Sequence, residues 1–166
     1  QYGDDIALEE GDRRWTYREL EAEVRRAAAA FMAFGLEHGD RVAIWLPNVP
    51  AWLTCFFACA RIGAIALAVN TRFRSGELAD ILKRSGAKLL VTWPGFDRID
   101  FADVLAGCPA EALSALEGIV AYGEGGPAPS GSSALPAGIP VHAYDDLLRT
   151  AAPAPVTGSA ADGCAI

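Results

Sequence analysis

The sequence predicts an α/β fold: a doubly wound, mainly parallel sheet flanked by helices, with a small N-terminal hairpin. Three observations predict it. Short apolar runs alternate along the chain with segments of helical periodicity, the signature of a sheet built from strand–helix–strand units. The runs at residues 42–46 and 65–69 are apolar without alternation, which suits strands covered on both faces. One helical segment lies between them, so the two strands and their crossover form a right-handed unit. Residues 39–72 are therefore the element around which the rest is organised.

Taken from the start, residues 6–9 and 13–15 flank Glu10-Gly11-Asp12 and predict the hairpin. Thr16-Tyr17-Arg18-Glu19 is a capping box, in which hydroxyl and carboxylate each satisfy the other residue's backbone N–H. Trp15 and Leu20 take the staple positions. Leu20, Val24, Ala27, Ala28 and Phe31 recur at spacings of three and four, predicting an amphipathic helix that ends near Gly35. Its other face, with Glu21, Glu23, Arg25 and Arg26, reads as solvated.

In the central unit, Pro47-Asn48 stops the first strand, Asn48 is the expected N-cap of the next helix, and Pro50 fits its first turn. Residues 51–64 carry a single charge, Arg61, so burial of nearly every helix face is expected. Gly63 marks the end. Ser75 is the expected cap of a short helix with Leu78, Ile81 and Leu82 inward, and Lys83 and Arg84 complement its dipole. Residues 88–93 form a third strand and residues 119–122 a fourth. Residues 97–117 read as helical with a break at 107–109, and residues 144–149 as a last short helix.

The order divides the chain into an α/β subdomain at 1–122, a mobile loop at 123–140 and a short helix with its tail at 141–166. The loop, GEGGPAPSGSSALPAGIP, is compositionally a surface excursion. Residues 123–128 formally match G-x-G-x-x-A, yet Pro127 and Pro129 deny the free N–H donors a pyrophosphate needs. The chain opens on Gln1 rather than Met, the expectation being a processed form or a piece of something longer.

With 166 residues and 52% hydrophobic content, the chain can bury roughly 70% of the surface its unfolded form exposes. A net charge of −7 argues against nucleic acid and anionic membrane as partners. Residues 49–69 are long enough to span a bilayer, but Arg61, Pro50 and Gly63 and the strand-like end oppose it, so no integral membrane segment is expected. Cys55, Cys59, Cys108 and Cys164 show no metal-site or redox spacing, which fits a reducing, cytoplasmic setting. Cys55 and Cys59 stand one turn apart on the apolar helix; two metal ligands or two core residues are both conceivable, and burial favours the core.

Chemistry is scarce. Lys83 and Lys88 are the only lysines, and His38 and His142 the only histidines. No phosphate-binding G-x-x-x-x-G-K-[ST], no H-E-x-x-H and no G-x-S-x-G occurs. Both histidines read as ordinary solvated side chains. These residues alone nominate no catalytic group and no metal site.

Several blocks nevertheless stand in a telling order: Thr16-Tyr17-Arg18-Glu19-Leu20, then GDRVAIWLPN at 39–48, then Arg61-Ile62-Gly63-Ala64, then Val69-Asn70-Thr71-Arg72-Phe73-Arg74 leading into Glu77-Leu78 and the strand at Lys88. Together they resemble the amino-terminal part of the AMP-forming acyl-CoA synthetases, within the adenylate-forming superfamily that also holds luciferases and peptide-synthetase adenylation domains. Asn70-Thr71-Arg72 resembles the acyl-CoA ligase version of its loop, since peptide-synthetase domains usually carry Asp-Pro and Tyr-Pro there. Residues 162–166 look like the lead-in to the family's phosphate loop.

The resemblance implies a parent ligase that converts a carboxylic acid and ATP to an acyl-adenylate, then transfers the acyl group to coenzyme A, using Mg2+. It implies that this stretch scaffolds one side of the cleft, is inactive alone and binds none of these cofactors by itself. It also suggests that Arg72 and Arg74 contact coenzyme A phosphates; surface charge, or a pair with Glu77, is the plainer reading of both. Two alternatives stand beside the ligase: a self-standing α/β binding module without catalysis, and an adenylation domain from another branch of the superfamily. An uncovered sheet edge would allow a homodimer.

Overall fold

The computed structural model describes residues 2–96, 98–123 and 135–150. The chain begins with an antiparallel hairpin, β1 (Ile6–Glu10) and β2 (Arg13–Thr16), and passes directly into α1 (Tyr17–Phe34). The Thr16 hydroxyl accepts the Glu19 N–H at 3.2 Å and the Glu19 carboxylate accepts the Thr16 N–H at 2.8 Å. The capping box read from the sequence therefore forms on both sides.

A five-stranded parallel sheet follows, in the spatial order β4-β3-β5-β6-β7. Its members are β3 (Arg41–Trp45), β4 (Ile65–Ala68), β5 (Leu89–Thr92), β6 (Gly118–Ala121) and β7 (Val141–Ala143). The crossovers hold α2 (Pro50–Ile62), α3 (Ser75–Ser85) and α4 (Phe101–Ala106), with α5 (Tyr144–Thr150) after the last strand. The chain starts at β3, steps to β4 at the edge, and returns across β3 to β5. That reversal makes the sheet doubly wound and puts its topological switch point, where ligands bind in such sheets, at the carboxyl ends of β3 and β5.

Each face of the sheet has its own core. On one side Ala27, Ala28 and Phe31 of α1 meet Cys55, Ala58 and Cys59 of α2 over Val42, Ile44, Leu89 and Val91. On the other, Leu78 and Leu82 of α3 and Phe101 and Leu105 of α4 cover Ala43, Trp45, Leu90 and Ile119. Successive strand residues thus alternate between two buried faces, which is why the strands read as unbroken apolar runs.

The structure changes several local readings. The N-cap of α2 is Val49, with no side-chain hydrogen bond, and not Asn48; Pro50 occupies the first helical position, and the residue before a proline is forced into extended backbone. The N-cap of α3 is Arg74 and not Ser75, whose hydroxyl instead donates to the Val104 carbonyl at 2.7 Å. Helix α2 is not buried all round: Phe57 is 43% exposed. The helical stretch expected at 97–117 reduces to α4 and a 3-10 turn at Ala110–Ala112. The strand β7 joins the sheet beside β6, where the sequence reading placed loop and helix only. The G-x-G-x-x-A match, the tail after 150 and Cys164 lie outside the described residues, apart from Gly123.

The amino edge of the sheet is tied by Gly39-Asp40-Arg41. The Asp40 carboxylate accepts the Glu37 N–H at 2.8 Å and the Lys88 ammonium at 2.9 Å. The Arg41 guanidinium donates to the Ser85, Gly86 and Gly39 carbonyls, closing the carboxyl end of α3, where a cation also complements the helix dipole. Gly63, which ends α2 at φ 73°, lies against the His38 ring; a Cβ there would meet His38 Cδ2 at 2.4 Å.

Candidate functional site

The carboxyl edge of the sheet carries the groups with binding chemistry. From β4 the chain enters a loop at Asn70 that ends at α3. The Asn70 side-chain oxygen accepts the Arg72 N–H at 2.9 Å, an Asx turn of the kind Asn forms two residues ahead of itself. The Asn70 carbonyl accepts the Phe73 N–H at 3.1 Å and the Trp45 indole N–H at 3.2 Å. Glu77 accepts the Arg74 backbone N–H at 2.9 Å. Among the described residues no ion pair joins this carboxylate to the Arg74 guanidinium. Arg72 and Arg74 are both exposed, and among the described residues no hydrogen bond or ion pair engages either guanidinium. Two cations, each able to grip a phosphate through paired N–H donors, thus stand on one loop.

A second feature lies beneath the hairpin. A cavity of about 400 Å³ is lined by Arg13, Arg26 and Arg149 opposite Glu10, Glu23 and Asp145. Arg13 stacks on Trp15, 4.6 Å from the ring centre, and the Trp15 indole donates to Glu23 at 3.2 Å. Its three guanidiniums and three carboxylates balance in number.

The buried thiols are core residues. Burial pushes the Cys55 thiol up to about 12, against a hydrogen bond from Tyr144. Burial likewise raises Cys59 well above the usual thiol range, with Cys55 adding to it. Both stay protonated at neutral pH and are poor nucleophiles. Among the described residues, Cys55, Cys59 and Cys108 are free, and no three His, Cys, Asp or Glu side chains come together in a way that could hold a metal ion. Tyr144 is raised well above the phenol range by burial first, then by Cys55 and Glu23.

His38 is exposed, as read. His142 is not simply solvated: it sits half-buried on β7, its ring edge-on to Phe34 at 5.8 Å. Sequence reasoning did not find the bond between Trp45 and Asn70 at the start of this loop. The Asn-x-Arg spacing is a local signal for the Asx turn, but the indole contact spans 25 residues and has no local signature.

No helix among the described residues is long and apolar enough to cross a membrane. The fold is a doubly wound α/β scaffold, and at the carboxyl edge of its sheet one loop carries two exposed guanidiniums that no hydrogen bond or ion pair engages among the described residues. Residues 1–151 match the AMP-binding enzyme family, and the chain belongs to it. It is 42% identical over 120 residues to a 3-[(3aS,4S,7aS)-7a-methyl-1,5-dioxo-octahydro-1H-inden-4-yl]propanoyl:CoA ligase of Mycobacterium tuberculosis, covering 72% of this chain and 23% of that protein. An acetyl-coenzyme A synthetase of Streptomyces avermitilis is 37% identical over 129 residues, covering 75% and 19%.

Among solved structures, the anthranilate CoA ligase AuaEII in complex with anthranoyl-AMP superposes with a TM-score of 0.76 at 24% identity, over 99% of this chain and 29% of that one; this likeness shows the fold. The N-terminal domain of FACL13 from Mycobacterium tuberculosis gives 0.64 at 27% identity, over 93% and 34%. The chain therefore spans about a fifth of the length of the curated relatives it matches.

Proposed function

We propose that the chain is the amino-terminal part of an ATP-dependent acid–thiol ligase. In that reaction a carboxylate attacks the α-phosphorus of ATP and pyrophosphate leaves; the thiol of coenzyme A, giving up its proton, then displaces AMP from the acyl-adenylate to form a thioester. The observation that carries the reading is the family match across residues 1–151, with relatives that are CoA ligases. The substrate class is a small-molecule carboxylic acid.

The role assigned to these residues is scaffolding of one cleft wall and capture of coenzyme A, with no catalytic group and no activity from this chain alone. Arg72 and Arg74 fit the coenzyme's phosphates, since both are exposed and, among the described residues, no side chain engages either guanidinium. ATP and Mg2+ are assigned to segments beyond these residues. Free thiols at Cys55, Cys59 and Cys108 support a reducing, cytoplasmic location. The edge position of β4 supports a homodimer through that strand.

The test uses the full-length ligase. Pyrophosphate release and thioester formation are followed with a panel of carboxylic acids, then with Arg72→Ala and Arg74→Ala. Acid-dependent pyrophosphate release is expected, and each substitution should raise the KM for coenzyme A about fivefold, the scale of one exposed charge-assisted contact. Absence of pyrophosphate release with every acid would overturn the ligase reading; unchanged KM values would remove the two arginines from it.

A further inference from the structure

We propose that Asn70 and Trp45 are positioning residues for the coenzyme A step, because together they hold the loop that presents Arg72 and Arg74. The inference rests on the reading that these guanidiniums take the coenzyme's phosphates.

The loop leaves the end of an edge strand, where the ladder ceases to hold it. The last strand-type bond is Val69 N–H to the Ile44 carbonyl at 3.1 Å. Beyond it, three bonds converge on one residue: the Asn70 carbonyl accepts the Trp45 indole N–H and the Phe73 N–H, and the Asn70 side chain accepts the Arg72 N–H. Trp45 is fully buried, edge-on to Phe101 at 4.5 Å between ring centres. Its N–H therefore reaches the loop from a fixed point in the core. Farther on, Glu77 holds the Arg74 N–H and the half-buried Phe73 packs on the same core cluster.

The backbone beside both arginines is thus fixed while their side chains stay open. This division suits a polyanion. Binding must immobilise two long side chains, and a loop already ordered leaves only that loss to be met. One guanidinium can hold a phosphate by itself, but two act together on a polyanion only where their separation is kept, which a wandering loop would not do. Asn70 supplies the register locally and Trp45 ties it to the sheet.

A purely structural account competes, since a buried indole N–H needs some acceptor. The two differ in what a substitution moves. In the full-length ligase, Asn70→Ala removes the side-chain acceptor and leaves the chain otherwise intact, while Asn70→Ser restores an acceptor for the same N–H. The adenylation half-reaction is read by acid-dependent pyrophosphate release and the thioester step by a coenzyme A titration, with Arg72→Ala alongside.

Asn70→Ala is expected to raise the KM for coenzyme A about fivefold, the scale of one hydrogen bond, with a smaller effect on adenylation; Asn70→Ser should recover most of it. Trp45→Phe, which keeps an aromatic ring and deletes the N–H, should act in the same direction. An Asn70→Ala variant that lowers both half-reactions alike, or one that leaves the KM for coenzyme A unchanged while Arg72→Ala raises it, overturns the positioning role. If Arg72→Ala and Arg74→Ala both leave that KM unchanged, the phosphate reading itself fails, and the inference falls with it.

Discussion

Removing the Asp40 carboxylate should loosen the whole amino edge of the sheet. In Asp40→Ala the backbone bonds survive: the Asp40 carbonyl still accepts the Ile65 N–H at 2.7 Å, and its N–H still reaches the Glu37 carbonyl at 3.1 Å. What is lost is an acceptor only 12% exposed that serves the Glu37 N–H and the Lys88 ammonium. A hydrogen bond to a charged group contributes about 1.5–3 kcal/mol. The Lys88 side chain is 31% exposed, so water replaces much of its share.

The expected loss is therefore about 2 kcal/mol, set mainly by the Glu37 amide. With a urea m value of about 1–3 kcal/mol/M, the midpoint should fall by about 0.7–2 M at unchanged m. Burial raises the Asp40 carboxyl, but the Glu37 amide, the Lys88 bond and the Lys88 and Arg41 charges together outweigh it, so its pKa is lowered from 3.8. A lowered carboxyl stabilises above its unfolded value, near 3.9, and that stability is lost as pH falls through the folded value. The gap between wild type and Asp40→Ala should thus be full at pH 7 and close in acid. A midpoint shift below about 0.3 M at pH 7, or a gap that widens on acidification, would refute this account of the edge.

Other perturbations have equally definite outcomes. Gly63→Ala places a side chain at positive φ and against His38, and should destabilise by about 1–2 kcal/mol from backbone strain alone; a thermal midpoint equal to wild type would show that the turn relaxes freely. Cys55 and Cys59, both fully buried, should resist a thiol reagent in the native protein and react in step with urea unfolding. Rapid native labelling of either, read by peptide mass, would show that α2 opens locally.

The sequence carried much of this architecture because each element announced itself by a local rule. Thr16 and Glu19 are three apart and cap one another; the runs at 42–46 and 65–69 are apolar throughout because both faces of the sheet are covered. Local rules failed where two of them competed. Asn48 is the better capping residue, yet Pro50 at the first helical position makes its predecessor, Val49, the cap. Ser75 is the better capping side chain, but the Val104 carbonyl lies within its reach across the fold. The strand Val141–Ala143 has three half-buried residues and follows a run of Gly and Pro, so no pattern of useful length marks it.

The site was legible to a different degree. Arg72 and Arg74 could be singled out only through resemblance, since two surface arginines alone signify nothing. What makes their loop stand apart is the bond from Trp45, on another strand. Position 45 was legible as buried strand, but the partner of its indole N–H depends on strand register and becomes visible only when β3 and β4 lie side by side.

The order of strands has a consequence for how the chain is made. β3 lies inside the sheet but is the first of its strands to be synthesised, so both its hydrogen-bonding edges emerge without neighbours. The partner for one edge arrives early, as Arg41 pairs with Ile65; the other waits until Leu89 reaches Val42. At about 5–20 residues per second of synthesis, β3 spends seconds with an open edge. The β3–α2–β4 unit is the smallest piece that closes either side, and α2 brings its apolar face with it. Early docking of that unit shortens the time in which an apolar strand could pair with another nascent chain, so the interior strand is protected first by the neighbour that ends up at the rim.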